Sequence, residues 1–156
     1  MREYYNKPEE TEAAFVGLSN GEIYFKTGDF AEHDEDTGYY AIKGRMSSDI
    51  LKHKGYKVSA LDVENALLSL SCIKECAVIG TDHEVFGQAI VAVVVKSSEA
   101  EAAELEESSD LQRLCKSILA DYQIPQTLVL VDEIPRNAMG KVNKKQLAEW
   151  VTTKNQ

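Results

Sequence analysis

The feature that most limits how this chain can fold is its longest apolar run, Ala-Ile-Val-Ala-Val-Val-Val at residues 89–95. It is far shorter than the roughly 20 residues needed to span a bilayer, and β-branched side chains pack better on a pleated surface than against the preceding turn of a helix. The run therefore reads as a buried strand. A second β-branched segment at 75–80 precedes it across the connector 81–87, and both are expected to be central strands of one sheet. A third core strand is expected at 127–131.

Helical spacing appears three times. Ser59 heads a segment in which Val63, Ala66, Leu67 and Leu70 recur on one face, with Asp62 at the capping-box position. A second helix is expected to begin at Asp110, with Leu111, Leu114, Cys115, Ile118 and Tyr122 in one stripe that Pro125 brings to an end. Asn143 caps a last one, with Gln146 at the capping-box position and Leu147, Trp150 and Val151 facing inward. Residues 97–109, small and acidic, read as a mobile connection in which 101–107 could coil. Upstream, residues 1–22 show little periodicity and read as loop or linker. Residues 23–25 and 38–43 read as the two strands of one hairpin around an Asp-x-Thr-Gly turn. The expected class is α+β: a small mixed β-sheet with about three helices packed on it, preceded by a β-hairpin.

With 44% hydrophobic residues the chain can build one compact core. A net charge of −9 argues against a broad nucleic-acid face. The three cysteines, Cys72, Cys76 and Cys115, cannot all pair and lack the flanking ligands a zinc site needs. They read as reduced, mostly buried residues of an intracellular protein, and no metal site is expected. The first residues lead into charge rather than an apolar signal segment. His33, His53 and His83 form no constellation and read as surface residues.

Against that acidic background, residues 44–64 gather Arg45, Lys52, Lys54 and Lys57 in a segment that turns at Gly55, runs extended through 56–58 and enters a helix at Ser59. A solvated basic hairpin is the bland reading. The order is more specific: Gly-Arg-x-x-x-Asp-x-x-Lys-x-x-Gly-Tyr-x-Val, preceded by Phe25-Lys26-Thr27-Gly28-Asp29 and followed by Pro135-Arg136-Asn137-Ala138-Met139-Gly140-Lys141. Together these blocks resemble the C-terminal domain of the adenylate-forming (AMP-binding) acyl-CoA synthetase family, in wording most like its malonyl-CoA synthetase branch.

The resemblance implies a division of the chain. Residues 1–46 would be the tail of a large N-terminal adenylation domain, with its ribose-contact segment and hairpin, and residues 47–156 the mobile C-terminal lid. It implies a ligase that activates a carboxylic acid with ATP, magnesium being supplied at the large domain, and then forms the thioester with coenzyme A. The isolated chain would be inactive. Lys141 is then the catalytic residue, because a placed ammonium stabilises the charge that develops on phosphorus in the adenylation transition state. Gly140 permits close approach and Pro135 stiffens the arm. A nucleotide P-loop is excluded, since Pro135 and Val142 stand where it needs glycine and Ser or Thr.

Asp29 would accept hydrogen bonds from ribose hydroxyls, Arg45 would contact ribose or phosphate, and Lys52 the acyl-adenylate region. Lys54 and Gly55 would line the pantetheine channel. Ser47 stands at the hinge, where the family usually carries Asp or Lys. A rival reading is a non-catalytic truncated domain that self-associates or binds a partner through orphaned hydrophobics such as Tyr24, Phe25 and Tyr39. A more remote one is a peptide-synthetase adenylation fragment, whose thiol acceptor is a carrier protein. The compartment expected is cytoplasmic or mitochondrial.

Overall fold

The computed structural model describes residues 2–97 and 105–154. In chain order its elements are α1 (Pro8–Ala14), β1 (Phe15–Gly17), β2 (Ile23–Phe25), β3 (Asp29–His33), β4 (Tyr40–Arg45), β5 (Ile50–His53), β6 (Tyr56–Ser59), α2 (Ala60–Leu68), β7 (Ile73–His83), β8 (Gly87–Lys96), α3 (Ser108–Cys115), β9 (Thr127–Leu130) and α4 (Lys144–Lys154).

The apolar run lies in β8, which pairs antiparallel with β7 from Ile73↔Lys96 to His83↔Gly87 and parallel with β9 from Val91↔Thr127 to Val94↔Leu130. Beyond β9, the same edge of β8 meets β5 through His53↔Gly87, and β6 completes the sheet. Successive side chains point to opposite faces. Ile90, Ala92 and Val94 therefore pack with Val63 and Leu67 of α2 and Leu111 and Cys115 of α3, while Val91, Val93 and Val95 pack with Leu147 and Val151 of α4. Helices cover both faces, so an uninterrupted apolar strand is what the centre of the sheet requires.

β7 is not central as expected: among the described residues it pairs only with β8. Its β-branching reflects burial by the helices on both faces rather than pairing on both edges. The free edge is closed by α2, where Glu64 Oε1 accepts the Val78 N–H at 2.7 Å, so a carboxylate satisfies a donor that an edge would otherwise expose.

The N-terminal reading needs two corrections. Residues 8–14 form a helix instead of a loop, started by Pro8 with Glu9 and Glu10 in the first turn. There are also two hairpins rather than one: β2 pairs with β1 (Phe15↔Phe25) and β4 with β3 (Asp29↔Arg45). The charged Asp-Phe-Ala-Glu-His strand hides its state because it buries almost nothing. The acidic turn is as expected, with Asp34 Oδ1 accepting from the N–H groups of Asp36 and Thr37 at 2.9 and 3.0 Å.

Among the helices, α2 begins as read, Ser59 Oγ accepting the Asp62 N–H at 3.1 Å. α3 starts at Ser108 instead of Asp110, because Glu107 and Asp110 close a reciprocal capping box. It ends at Cys115, leaving Ile118 and Tyr122 outside it and exposed. Tyr122 instead stacks on Tyr56, ring centroids 4.5 Å apart. Of the connection expected to be mobile, 98–104 lie outside the described residues, but Leu105 is fully buried in the core beside α3 and so anchors its end. α4 is capped by Asn143, whose Oδ1 accepts the Gln146 N–H at 3.2 Å.

His53 is a further correction. It is fully buried, its Nδ1–H donating to the Gln88 carbonyl at 2.6 Å and its ring meeting Phe86 edge-on. All three cysteines are thiols, Cys72 and Cys115 buried and Cys76 half-buried. Burial, with the Glu64 carboxylate behind it, pushes the Cys76 thiol up to about 12, and burial pushes Cys115 up to about 11. Among the described residues no helix is long and apolar enough to cross a membrane, and no group of three His, Cys, Asp or Glu side chains is placed to hold a metal ion.

Candidate functional site

The register of β3 and β4 sets Asp29 opposite Arg45, and their side chains meet, Asp29 Oδ1 to Arg45 Nε at 2.9 Å. Arg45 Nη1 also donates to the Thr27 carbonyl at 3.1 Å, and Thr27 Oγ1 accepts the Asp29 N–H at 3.2 Å. Gly28 turns the chain at φ +78° between them. Two residues expected to contact nucleotide are thus neighbours on one exposed ledge. An exposed pair of this kind contributes about 0–1 kcal/mol to stability, so its value is in orienting the two groups.

Directly after β4 comes the turn that holds Ser47, which is exposed. Its geometry is set by Asp49, whose Oδ2 accepts the Arg45 N–H at 2.8 Å while Asp49 N–H donates to the Arg45 carbonyl at 2.8 Å. Gly44 makes this possible: at φ +120° it lies so close to Asp49 that an added Cβ would sit 2.5 Å from the Asp49 Cβ. The other oxygen, Asp49 Oδ1, meets Lys144 Nζ at 2.8 Å, and Lys144 also meets Glu64 Oε1 at 2.8 Å. All three side chains are 12–14% exposed. Burial alone would raise the Asp49 carboxyl; the Lys144 ammonium and the Arg45 N–H outweigh it and hold it below its ordinary value.

Neither Lys144 nor Glu64 was read from the sequence as part of a site. The signal available was Lys144 itself: a cation in the first turn of a helix opposes the macrodipole and needs a compensating partner.

Lys52, Lys54, Gly55 and Lys57 occupy the β5–β6 hairpin, all exposed. Lys54 and Gly55 are its two turn residues, at φ +50° and +84°, the pair of positive φ values that a two-residue turn uses to match strand twist. Lys54 N–H donates to the Phe86 carbonyl at 2.9 Å and its ammonium lies 4.7 Å from the centroid of the Phe86 ring. Lys52 N–H donates to Gln88 Oε1 at 2.7 Å.

Lys141 closes an exposed turn between β9 and α4. Asn137 organises it: its Oδ1 accepts the N–H groups of Met139 and Lys141 at 3.0 and 2.9 Å, and its own N–H donates to the Lys141 carbonyl at 2.9 Å. Gly140 takes φ +77°. Arg136 clasps the turn to the sheet, donating to the Gly140 carbonyl at 3.1 Å and to Glu75 of β7 at 3.0 Å.

These residues do not form one cluster. The Lys141 turn is fastened near the start of β7, at Glu75, and the Lys54–Gly55 turn beside its far end, at Phe86. From Glu75 to His83 at about 3.3 Å per residue the strand spans roughly 26 Å. Two basic turns therefore stand at opposite ends of one sheet, and the Asp29–Arg45 ledge lies across the Ser47 turn from both.

The profile of the AMP-binding enzyme C-terminal domain matches residues 62–141. Malonate–CoA ligase of Arabidopsis thaliana is 45% identical over 153 residues, covering 94% of this chain and 24% of that protein. The mitochondrial malonate–CoA ligase ACSF3 of Mus musculus is 48% identical over 147 residues, covering 94% and 24%. ATP-bound MatB from Rhodopseudomonas palustris superposes with a TM-score of 0.80 at 31% identity, over 99% of this chain and 29% of that one. Apo MatB from the same organism superposes at 0.67 with 32% identity, over the same shares. The chain spans about a quarter of the length of the curated relatives it matches.

Proposed function

Since the chain belongs to the AMP-binding enzyme C-terminal domain family, we propose that residues 47–156 are the swinging lid of an AMP-forming acyl-CoA ligase and residues 1–46 the tail of its large domain. The ligase converts a carboxylic acid and ATP to an acyl-adenylate and pyrophosphate, then exchanges AMP for coenzyme A. Malonate, named in the relatives, is the first acid to test.

The observation that carries this reading is the setting of Lys141. Its backbone is held on both sides by Asn137, so the residue sits on a defined exposed turn at the sheet's edge, where a domain closing over a nucleotide could receive its ammonium. Asp29 and Arg45 take the ribose and phosphate, Lys52 the acyl-adenylate region. Lys54 and Gly55 serve the pantetheine arm in a second pose, for which a turn without a Cβ at Gly55 leaves room. Ser47 is the pivot between poses. The better superposition on the ATP-bound neighbour than on the apo one supports reading the present arrangement of hairpin and lid as the adenylation pose. The large domain supplies the magnesium site and the carboxylate pocket.

The test is ATP–pyrophosphate exchange with malonate in the full-length ligase carrying Lys141→Ala. Removing one transition-state contact of this type costs a factor of about 10²–10³, whereas thioester formation from supplied acyl-adenylate should persist. Undiminished exchange overturns the reading. The chain alone should show no exchange.

A second reading has its own observation: Ile23 on β2, and Tyr39, Tyr40 and Ile42 on and just before β4, are 64–77% exposed, large apolar surface that calls for a cover. In the lid reading the large domain covers it; in the rival reading a second copy does. Concentration-dependent sedimentation of the isolated chain separates the two, a monomer at high concentration removing the self-association form.

A further inference from the structure

We propose that Asp49 is the latch of the hinge, a positioning residue whose carboxylate bridges the pivot with one oxygen on each side. The inference rests on the lid reading, with Ser47 as pivot. Asp49 Oδ1 is fixed to Lys144, which belongs to the lid, and Oδ2 holds the Arg45 N–H, which precedes the pivot. A swing about Ser47 moves Arg45 relative to Asp49. It must break the Oδ2 bond but can leave Asp49, Lys144 and Glu64 together as one unit of the lid.

Three further observations favour a latch over a merely structural ion pair. Lys144 has a second carboxylate, Glu64, which is itself committed to the Val78 N–H. The ammonium is therefore held in place whether or not Asp49 is engaged with Arg45, and Asp49 is always presented in one orientation. Gly44 leaves room for the Asp49 side chain only because it lacks a Cβ, so the hairpin side is shaped to receive the carboxylate. Finally, Arg45 is the residue paired to Asp29. Fixing its backbone from the lid fixes the ledge expected to hold the nucleotide, so the latch couples the pose of the lid to that ledge. In a chain whose pivot residue is an uncharged serine, the charge that biases the two poses stands two residues further on.

Lys43 also crosses the pivot, its ammonium 3.2 Å from Asp62 and its carbonyl accepting from Ser59 Oγ at 2.8 Å. Those contacts lie further from Ser47. The Asp49 bond joins residues 45 and 49, immediately either side of the turning point.

The experiment uses the full-length ligase with Asp49→Ala and, separately, Lys141→Ala. For Asp49→Ala, ATP–pyrophosphate exchange should fall about tenfold, the shift that losing one charge-assisted hydrogen bond from one pose allows, while thioester formation from supplied acyl-adenylate and coenzyme A holds or rises. A second readout needs no activity: spin labels at Glu35→Cys in the acidic turn before the pivot and Val85→Cys after it, both exposed positions, with the native thiols of this chain buried or half-buried. The distance distribution should shift away from the adenylation pose in Asp49→Ala and stay unchanged in Lys141→Ala. Equal losses in both half-reactions, or an unaltered distance distribution in Asp49→Ala, overturn the latch. Should Lys141→Ala leave exchange intact, the lid reading fails, and the distance measurement still judges the latch by itself.

Discussion

The two ends of the β7–β8 hairpin carry basic turns built by different means. At the Lys54–Gly55 end the backbone decides: two positive φ values, a two-residue turn, and a buried histidine immediately before it. At the Lys141 end side chains decide, with Asn137 folding the turn, Arg136 clasping it to Glu75, and Lys144 anchoring the helix that follows. A backbone-determined turn is stiff and insensitive to salt or pH. A side-chain-determined one can be released piece by piece. In the proposed lid, the second would suit an ammonium that must arrive and leave, and the first the wall of a channel.

The largest effect expected from breaking this contrast is at Lys144. Lys144→Met leaves Asp49 and Glu64 half-buried without their cation, and removing one partner of a buried pair costs about 3–5 kcal/mol. Urea unfolding of the full-length protein measures the loss, and amide exchange locates it: protection should drop in α4 and the Ser47 turn and persist around Tyr56 and Phe86. Equal loss at both ends would show that they are not independently built. The pH dependence has a fixed sign. The Asp49 carboxyl is held below its ordinary value, so its contribution is present above about pH 4, near the unfolded carboxyl value, and is lost as pH falls through the folded one. Asp49→Asn should flatten that part of the acid limb.

A matched pair of substitutions sharpens the contrast at smaller cost. Gly55 and Gly140 sit at φ +84° and +77°, and an added Cβ would meet nothing within 4 Å at either. Alanine at each therefore imposes backbone strain alone, about 1–2 kcal/mol. The same chemical change should divide by function: Gly55→Ala slowing thioester formation and sparing pyrophosphate exchange, Gly140→Ala the reverse. If both variants impair the same half-reaction, the assignment of one turn to each step is wrong.

The sheet, its helices and the three motif blocks were legible because each leaves a local mark: an apolar run too long for an edge loop and too short for a membrane, capping residues at Ser59 and Asn143, glycines where φ is positive. The ends of the chain's ordered pieces were less so. β3 buries little and shows no alternation, so only its partner reveals it. His53 had a signal that the lysines around it masked: Leu51 and His53 alternate with Lys52 across a strand, the buried pair on one side and the exposed cation on the other. Of the candidate site, sequence named Lys141, the Asp29–Arg45 ledge and the Lys54–Gly55 turn as residues. What it could not supply was their separation along β7, or that Asp49 and Lys144, far apart in the chain, meet beside the Ser47 turn.

The smallest expected effect tests the clasp itself. Glu75→Gln removes the carboxylate from an exposed pair, 45% and 38% accessible in its two side chains, and such pairs contribute about 0–1 kcal/mol. Stability should hardly move. Yet Arg136 also donates to the Gly140 carbonyl, one residue before Lys141, so loosening its far end lets the whole turn drift. Pyrophosphate exchange should therefore fall by a few-fold at low salt, and the difference from the parent should shrink in high salt, where the Debye length drops to about 3 Å at 1 M and the parent's own pair is screened. Thioester formation should be unaffected at any salt, because nothing at the Lys54–Gly55 end depends on Glu75. A salt-independent loss would mean that Glu75 acts through packing, and the clasp would then be part of the sheet rather than a releasable hold on Lys141.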